Sequence, residues 1–345
     1  MKKKLVITGG VGFIGTNLAL DASNKGYQVV VFDNLSRRGA NLNLRYLSAN
    51  ANIVFVEGDV CSPEQVDRLV SENCDAEAFF HFAGQVAVTT SVQNPRADFL
   101  TNAMGSINLL EALRSNEYTG LVLYASTNKV YGGLEEIETH ESETRHSFVD
   151  YPLGISETFP LEFHSPYGCS KGAADQYFVD YARMYGLKTV VYRQSCVYGE
   201  HQFGIEDQGW VAWFTIAAVF DKEVTIFGDG KQVRDVLYIG DLVDGYWKAL
   251  QRKDIVAGEV FNIGGGKYQM SLSELIRHLN RVLGKEIQIS YQDVRPGDQK
   301  VYVSDVRKAE QYLDWTPITN VEKGVEGLAK WAIGNRELFR QAGVI

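Results

Sequence analysis

The chain has 345 residues, 45% of them hydrophobic and 22% charged, with 34 Lys and Arg against 43 Asp and Glu for a formal charge of -9. That acidic balance excludes general binding to nucleic acid or to an anionic membrane, which needs a basic face, so any phosphate site has to be local. The length holds a dinucleotide-type domain and a smaller partner, and the composition is that of an ordered globular protein.

Lys2, Lys3 and Lys4 make the start basic, but the apolar run after them stops at Gly9. That is too short for a signal-peptide core or a membrane span, and a cytoplasmic protein is expected. Leu5, Val6 and Ile7 read as a strand, followed by Thr8-Gly9-Gly10-Val11-Gly12-Phe13-Ile14-Gly15. Gly9, Gly12 and Gly15 sit where a strand turns into a helix, letting a dinucleotide pyrophosphate approach backbone N–H groups. The chain returns as a strand over residues 27–33 and ends on Asp33, about 20 residues past the turn, where a carboxylate accepts hydrogen bonds from ribose hydroxyls. A carboxylate there repels a 2'-phosphate, so NAD is expected over NADP, with Arg37 and Arg38 acting in the opposite sense.

Further strand-like runs at residues 53–56, 78–82, 121–126 and 189–193 alternate with helical stretches such as 96–115 and 167–185. This is the pattern of an α/β protein with a Rossmann-type, doubly wound parallel sheet. Polar residues fall at the ligand edge: Asp59, then Ala83-Gly84-Gln85, then Ser126-Thr127. His81, inside an apolar strand, reads as a core group. Cys61, Cys74, Cys169 and Cys196 have no CxxC spacing and read as reduced, mostly buried thiols; no metal is expected. From Val197 the rhythm loosens, with a turn at Gly228-Asp229-Gly230, strands at 233–237 and 260–263, and helices at 271–283 and 321–340. We expect an NAD-binding domain over residues 1–192, rejoined by segments near 233–262, and a smaller, partly discontinuous substrate domain from 193–232 and 263–345.

Tyr167 and Lys171 lie four apart on one helix face, so the ammonium is expected beside the phenol, lowering its pKa from about 10 towards neutrality. Tyr167 then takes a hydroxyl proton while hydride leaves to a nicotinamide, and Thr127 hydrogen-bonds the same oxygen. A Tyr-x-x-x-Lys pair also arises by chance on amphipathic helices. Its weight comes from the glycine turn, Asp33 and Ser126-Thr127 occurring with it.

These residues, with Gly58-Asp59-Val60, Asn102, Asn108-Leu109-Leu110 and Val130-Tyr131-Gly132, resemble the extended short-chain dehydrogenase/reductase family over nearly the whole chain. The resemblance implies that Thr127, Tyr167 and Lys171 are catalytic, with the Asn102 helix supporting the proton path. It implies NAD contacts from Gly9, Gly12, Phe13, Ile14, Asp33, Asn34, Ser36, Arg37, Asp59, Val60, Ala83, Gly84, Gln85, Asn102, Ser126, Tyr167 and Lys171, and a nucleotide-linked sugar as substrate. Nucleotide-sugar 4,6-dehydratases carry Asp and Glu where this chain has Asn128 and Lys129. An amide cannot protonate a departing hydroxyl, so epimerisation is expected rather than dehydration.

Residues 81–91, 126–132, 163–177 and 207–211 are similar to those of family members that invert C2 of a CDP-linked deoxysugar, which implies transient oxidation to a 2-ketose and return of the hydride. The substrate contacts implied are Gln85, Thr127, Ser195, Gln208, Trp210, Arg234 and Arg295. Arg234 and Arg295 match phosphate-gripping arginines, or else are surface arginines in carboxylate bridges. Trp210 serves the cytidine or the core. Cys196 stands where many members carry Asn and is a poor phosphate ligand, leaving Ser195 or a backbone amide as the substitute. The resemblance also implies a homo-oligomer packed through helices such as 96–115 and 167–185. The rival readings are a nucleotide-sugar 4-epimerase and an NAD-binding sensor without catalysis, since a Rossmann fold does not dictate chemistry.

Overall fold

Strand β1 (Lys4–Thr8) is an unbroken apolar run, buried from Leu5 onward, as a strand covered on both faces requires. In the computed structural model, which describes residues 3–206, 208–294 and 299–344, it lies between β2 (Gln28–Asp33) and β4 (Ala78–His81), with Val6 opposite Val30 and Phe79. Beyond them come β3 (Ile53–Glu57) on one side and β5 (Leu121–Thr127) on the other. A small antiparallel hairpin, β6 (Thr139–Glu141) and β7 (His146–Phe148), stands apart. With β8 (Lys188–Gln194) and β12 (Val260–Ile263), the first five strands make one parallel seven-stranded sheet of order β12-β8-β5-β4-β1-β2-β3. The order reverses between β1 and β4, and a crevice opens at their carboxyl ends, where ligands bind in such sheets. His81 closes its floor as the expected core group: its Nδ1 lies 2.6 Å from Thr8 Oγ1 and its Nε2 3.0 Å from Ser106 Oγ, and burial pushes its pKa down to about 3.

Helices α1 (Phe13–Asn24), α2 (Ala40–Ser48) and α3 (Pro63–Ser71) link the first strands. The helix expected over 96–115 runs without a break from Pro95 to Ser115, with a π-helical turn inside it. Asn94 caps α5 (Pro95–Phe99) from behind the short α4 (Val88–Gln93); a π-helical turn, Leu100–Met104, follows, and then α6 (Gly105–Ser115). The cause is local: Pro95 fits a first helical turn, and the widened π turn accompanies Asp98 and Asn102, both buried, reaching across to the next long helix. That helix is α7 (Ser165–Tyr185), ended by Gly186 in a left-handed conformation.

One residue after β8, the chain leaves the large sheet as β9 (Cys196–Tyr198). The helix α8 (Trp210–Val219) and β10 (Val224–Phe227) precede β11 (Val233–Tyr238). Here the sequence expectation needs correction: residues 233–238 do not rejoin the large sheet. β11 pairs instead with β9, β13 (Gln269–Ser271) and β15 (Val301–Tyr302), while β14 (Ile289–Gln292) pairs with β10. The chain comes back through α9 (Ile239–Gln251), which packs on α1, and through β12 beside β8. The physical reason is that β9 already offers an edge in register, with Cys196 opposite Val236.

Around α8, apolar on all sides, Val211, Phe214 and Ile216 build a second core with Leu275, Leu279, Val325 and Leu328 from the helices Leu272–Leu283 and Val321–Gly334. The helix expected over 321–340 is broken at Asn335. Among the described residues no helix is long and apolar enough to cross a membrane, and no group of three His, Cys, Asp or Glu could hold a metal. The cysteines also differ from expectation. All four are free thiols, but Cys61, Cys74 and Cys169 are exposed and Cys196 is half-buried, because the first three lie in loops or on the outer side of α7.

Candidate active site

A cavity of about 1090 Å³ runs from the glycine turn to the second core. Its first wall exists because two backbones touch: a Cβ on Gly9, which has φ +67°, would lie 2.5 Å from the amide of Ala83, and one on Gly15 would lie 2.4 Å from the Gly9 carbonyl. Gly12 precedes α1 without any side-chain cap, so the first N–H groups of that helix face the cavity mouth as an anion site. Gly9→Ala should therefore cost about 1–3 kcal/mol of stability from strain alone, read by urea denaturation, and abolish dinucleotide binding by titration calorimetry; a variant that still binds would show that this turn holds no pyrophosphate.

Asp33 ends β2. Its Oδ2 accepts from Val11 N at 3.1 Å and its Oδ1 from Leu35 N at 2.9 Å; burial raises its pKa against those donors. Asn34, Ser36 and Arg37 follow on the cavity rim, and the Arg37 guanidinium reaches across to the Gln208 side-chain carbonyl. Phe13, Ile14, Val60, Ala83, Gly84 and Ser126 line the same space.

The catalytic residues expected from sequence come together in the middle of the cavity. Thr127 ends β5, accepts from Lys129 N at 3.3 Å and donates to Asn128 Oδ1 at 3.5 Å, and its hydroxyl acts to lower the pKa of the Tyr167 phenol. The backbone N–H of Tyr167 donates to Ser91 Oγ at 3.1 Å, which pins the first turn of α7 to α4. Lys171 Nζ donates to the Ala125 carbonyl at 2.5 Å and stands 4.3 Å from the centre of the Tyr124 ring.

The electrostatics correct one expectation. Burial, reinforced by Asp98, pushes the phenol up to about 12 against the lowering influence of Thr127 and Arg37, rather than Lys171 pulling it towards neutrality. Burial draws Lys171 itself down to about 7, with Asp175 and Asp98 acting to raise it. The ammonium points at Ala125 and not at the phenol, which is why the depression is missing.

Three expected contacts have other partners. The Gln85 side chain, expected at the sugar, donates to Asp98 Oδ1 at 2.8 Å and to the Ala87 carbonyl at 2.7 Å. Asn102 is buried behind it. It accepts from Gln85 N at 2.8 Å and donates to Gln85 O at 3.1 Å, so it shapes the Ala83-Gly84-Gln85 turn from the rear. Asp59 accepts from Asn34 Nδ2 at 2.9 Å and Cys61 N at 2.8 Å, leaving Val60 to form the wall.

At the far end, Ser195, Cys196, Gln208, Trp210 and Arg234 all line the cavity. Ser195 Oγ is engaged with Asp235, donating to its backbone carbonyl at 3.0 Å. The Trp210 indole N–H is buried with no hydrogen-bond acceptor among the described residues, and Arg234 donates to the Val233 carbonyl at 2.7 Å. Burial and Asp235 raise the Cys196 thiol, while Arg234, Trp210 and Lys129 act to lower it. Arg295 lies outside the described residues.

A model of the family described as GDP-mannose 4,6 dehydratase matches residues 6–328. The chain belongs to this family. It is 47% identical over 334 residues to the CDP-paratose 2-epimerase of Salmonella typhi, covering 95% of this chain and 98% of that one. Among solved structures it resembles the UDP-glucose 4-epimerase of Thermotoga maritima with UDP-glucose (32% identity, TM-score 0.81, 95% and 98% of the two chains). It also resembles the UDP-glucuronic acid 4-epimerase of Bacillus cereus in complex with UDP-glucuronic acid and NAD (27% identity, TM-score 0.82, 98% and 99%).

In this member of the GDP-mannose 4,6 dehydratase family, Asn128 and Lys129 open the 3₁₀ turn Asn128–Tyr131 and line the cavity beside Thr127. Each lies 3.4 Å from Gln299 Oε1, and Gln299 Nε2 donates to the Gly132 carbonyl at 2.6 Å. Sequence reading missed Gln299, and also Ser91, Asp98, Ser170, Asp175 and Arg193. The i, i+4 spacings of Asp98 with Asn102 and of Lys171 with Asp175 were the available signal.

Proposed function

We propose that the protein is an NAD-dependent epimerase that inverts C2 of a CDP-linked deoxysugar, converting CDP-paratose to CDP-tyvelose. The observation that carries this reading is the meeting of Thr127, Tyr167 and Lys171 on the wall of one cavity that also contains the glycine turn and Asp33. The 47% identity to a CDP-paratose 2-epimerase supports the choice of sugar and carbon.

The glycine turn fits a dinucleotide, since the close Gly9–Ala83 approach keeps side chains out of the cavity there and the uncapped start of α1 aims its first N–H groups into it, those of Gly9, Gly10, Val11 and Gly12 being taken by Phe32, Asp33 and Gly9. Gly9, Gly12, Phe13 and Ile14 would hold the pyrophosphate, Asp33, Asn34, Ser36 and Arg37 the adenosine, and Val60, Ala83, Gly84, Ser126, Tyr167 and Lys171 the remainder. Bound there, an oxidised nicotinamide supplies a reversible hydride acceptor and a positive charge. Tyr167 takes the proton of the C2 hydroxyl and gives it back after the opposite face of the ketose is presented. Thr127 holds that oxygen in line, and Lys171 is the cation of the pair. Arg234 and the uncapped N-terminus of α8, which Gly209 opens with φ +73°, anchor the diphosphate while the sugar turns. Gln208 and Trp210 face the cytidine. We place the protein in the cytoplasm and a second copy of the chain on the face where Phe99, Leu100, Met104, Tyr177, Met184 and Tyr185 are exposed.

Incubation with CDP-paratose in deuterated water, without added NAD, should yield CDP-tyvelose with protium at C2. Deuterium at C2 would sink the hydride-return mechanism. A product inverted at C4 would favour the 4-epimerase reading, which the resemblance to UDP-glucose 4-epimerase keeps in view.

A further inference from the structure

Asp98, on α5, is 1% exposed, and among the described residues no cation forms an ion pair with it. Three donors from three elements meet its two oxygens. Gln85 Nε2 reaches Oδ1 at 2.8 Å from the turn after β4, Asn102 Nδ2 reaches Oδ1 at 3.3 Å from the π-helical turn, and Ser170 Oγ reaches Oδ2 at 2.5 Å from α7. Asn102 Nδ2 also donates to Ser170 Oγ at 3.0 Å, which leaves the hydroxyl hydrogen for Asp98. Donors on both oxygens and the nearby Lys171 favour the ionised carboxylate, against burial, which raises its pKa. A buried charge is costly unless hydrogen bonds and a nearby opposite charge offset the loss of water.

Lys171, the residue after Ser170, is that opposite charge. A Cβ on Gly84 would lie 2.9 Å from Asn102 Oδ1 and 3.8 Å from Lys171 Nζ, so the Asp98 network and the ammonium share the Gly84-Gln85 turn. We propose that Asp98 is a positioning residue of the Tyr167–Lys171 pair: it clamps that turn, the π-helical segment and Ser170 into one unit and keeps the Lys171 ammonium charged. The proposal rests on reading Tyr167 and Lys171 as the reacting pair.

The other titratable groups facing this unit are Tyr167 and Asp175 on α7, His81 on β4, Tyr124 on β5 and Arg37 across the cavity. His81 is neutral, and burial holds the Tyr124 phenol well above its ordinary value. Burial lowers Lys171 and raises Tyr167, whereas the negative charge of Asp98 raises both. Removing that charge therefore lets both groups lose their protons at lower pH, and the two limbs of the activity profile move to acid together.

The test is Asp98→Asn in the full-length protein. The substitution keeps the shape: Ser170 Oγ has the Tyr167 carbonyl at 3.2 Å as an alternative acceptor, freeing it to accept from the new amide. With lysine side chains labelled at the ε carbon, the Lys171 resonance, assigned by its loss in Lys171→Met, should titrate about one pH unit lower than in the wild type. The pH profile of epimerisation should shift to acid by a similar amount, with kcat several-fold lower and KM for the nucleotide sugar unchanged. A lower kcat with both the titration and the profile in place would mean that Asp98 only braces the fold, and the proposal falls. Asp98→Ser, smaller and also neutral, gives the same readout if the Asn variant does not fold. If Asp98→Asn shows the Lys171 shift but the wild type does not epimerise CDP-paratose, the assigned reaction is refuted and the role of Asp98 stands.

Discussion

Tyr167→Phe should lower kcat by about 10²- to 10⁴-fold, the range a positioned acid–base group contributes, while NAD and nucleotide-sugar affinity stay within a few-fold of wild type. The substitution removes one oxygen from a ring that is 8% exposed, so packing against the cavity wall is kept. The lost oxygen is the one whose pKa the Thr127 hydroxyl, at the tip of β5, acts to lower. Phe leaves Thr127 as the only side chain of the triad able to hold the substrate oxygen, and a threonine hydroxyl does not accept a proton at neutral pH. Turnover followed by proton NMR and binding followed by calorimetry separate the two effects. Unchanged turnover would remove Tyr167 from the reaction and favour a sensor; lost binding would mean that the ring holds the cavity open. The phenol stands near 12 and Lys171 near 7 without cofactor charge beside them, so in the proposed reaction a bound nicotinamide's positive charge, rather than the lysine, would bring the phenol down.

The parts of the site readable from sequence were those whose chemistry is set by local spacing. Gly9, Gly12 and Gly15 announce a close backbone approach, Asp33 a carboxylate at a strand tip, and Tyr167 with Lys171 a shared helix face. Each needs only the period of its own element. What stayed hidden depends on partners far along the chain. The π-helical turn within residues 96–115 accompanies Asp98 and Asn102 reaching α7, some seventy residues on, and no helical periodicity shows such a demand. Gln85 was legible as a ligand-edge residue, yet its side chain is claimed by Asp98, because a buried carboxylate outcompetes solvent for an amide donor. Strand β11 was legible as a strand, but strand propensity does not name a neighbour, and β9 took it out of the large sheet. The direction of the Lys171 ammonium was hidden for the same reason: its acceptor is a carbonyl of β5.

Arg193→Met should destabilise the protein by about 3–5 kcal/mol, the cost of stripping one partner from a buried ion pair, measured by urea denaturation. Arg193 and Asp175 are 4% and 0% exposed at their side chains. The guanidinium grips the carboxylate through Nε at 3.0 Å and Nη2 at 2.9 Å, and Nη1 donates to the Tyr131 hydroxyl at 3.0 Å. Tyr131 passes the chain on to Asn262 Oδ1 at 2.7 Å, on β12, and Asn262 Nδ2 donates to the Ile155 carbonyl at 2.8 Å. The loss would isolate Asp175, left with Ser126 Oγ at 2.7 Å and the Gln176 amide. Arg193→Met with Asp175→Leu should recover at least half of the loss, because two apolar side chains leave no buried charge unpaired. The double variant should nevertheless stay slow in turnover, since Ser126 then has no acceptor holding the end of β5, and the neighbouring Thr127 loses its aim at Tyr167. A single variant within 1 kcal/mol of wild type would show that solvent reaches Asp175 and that the network is not closed. A double variant with full activity would show that Thr127 is held without the Ser126–Asp175 bond.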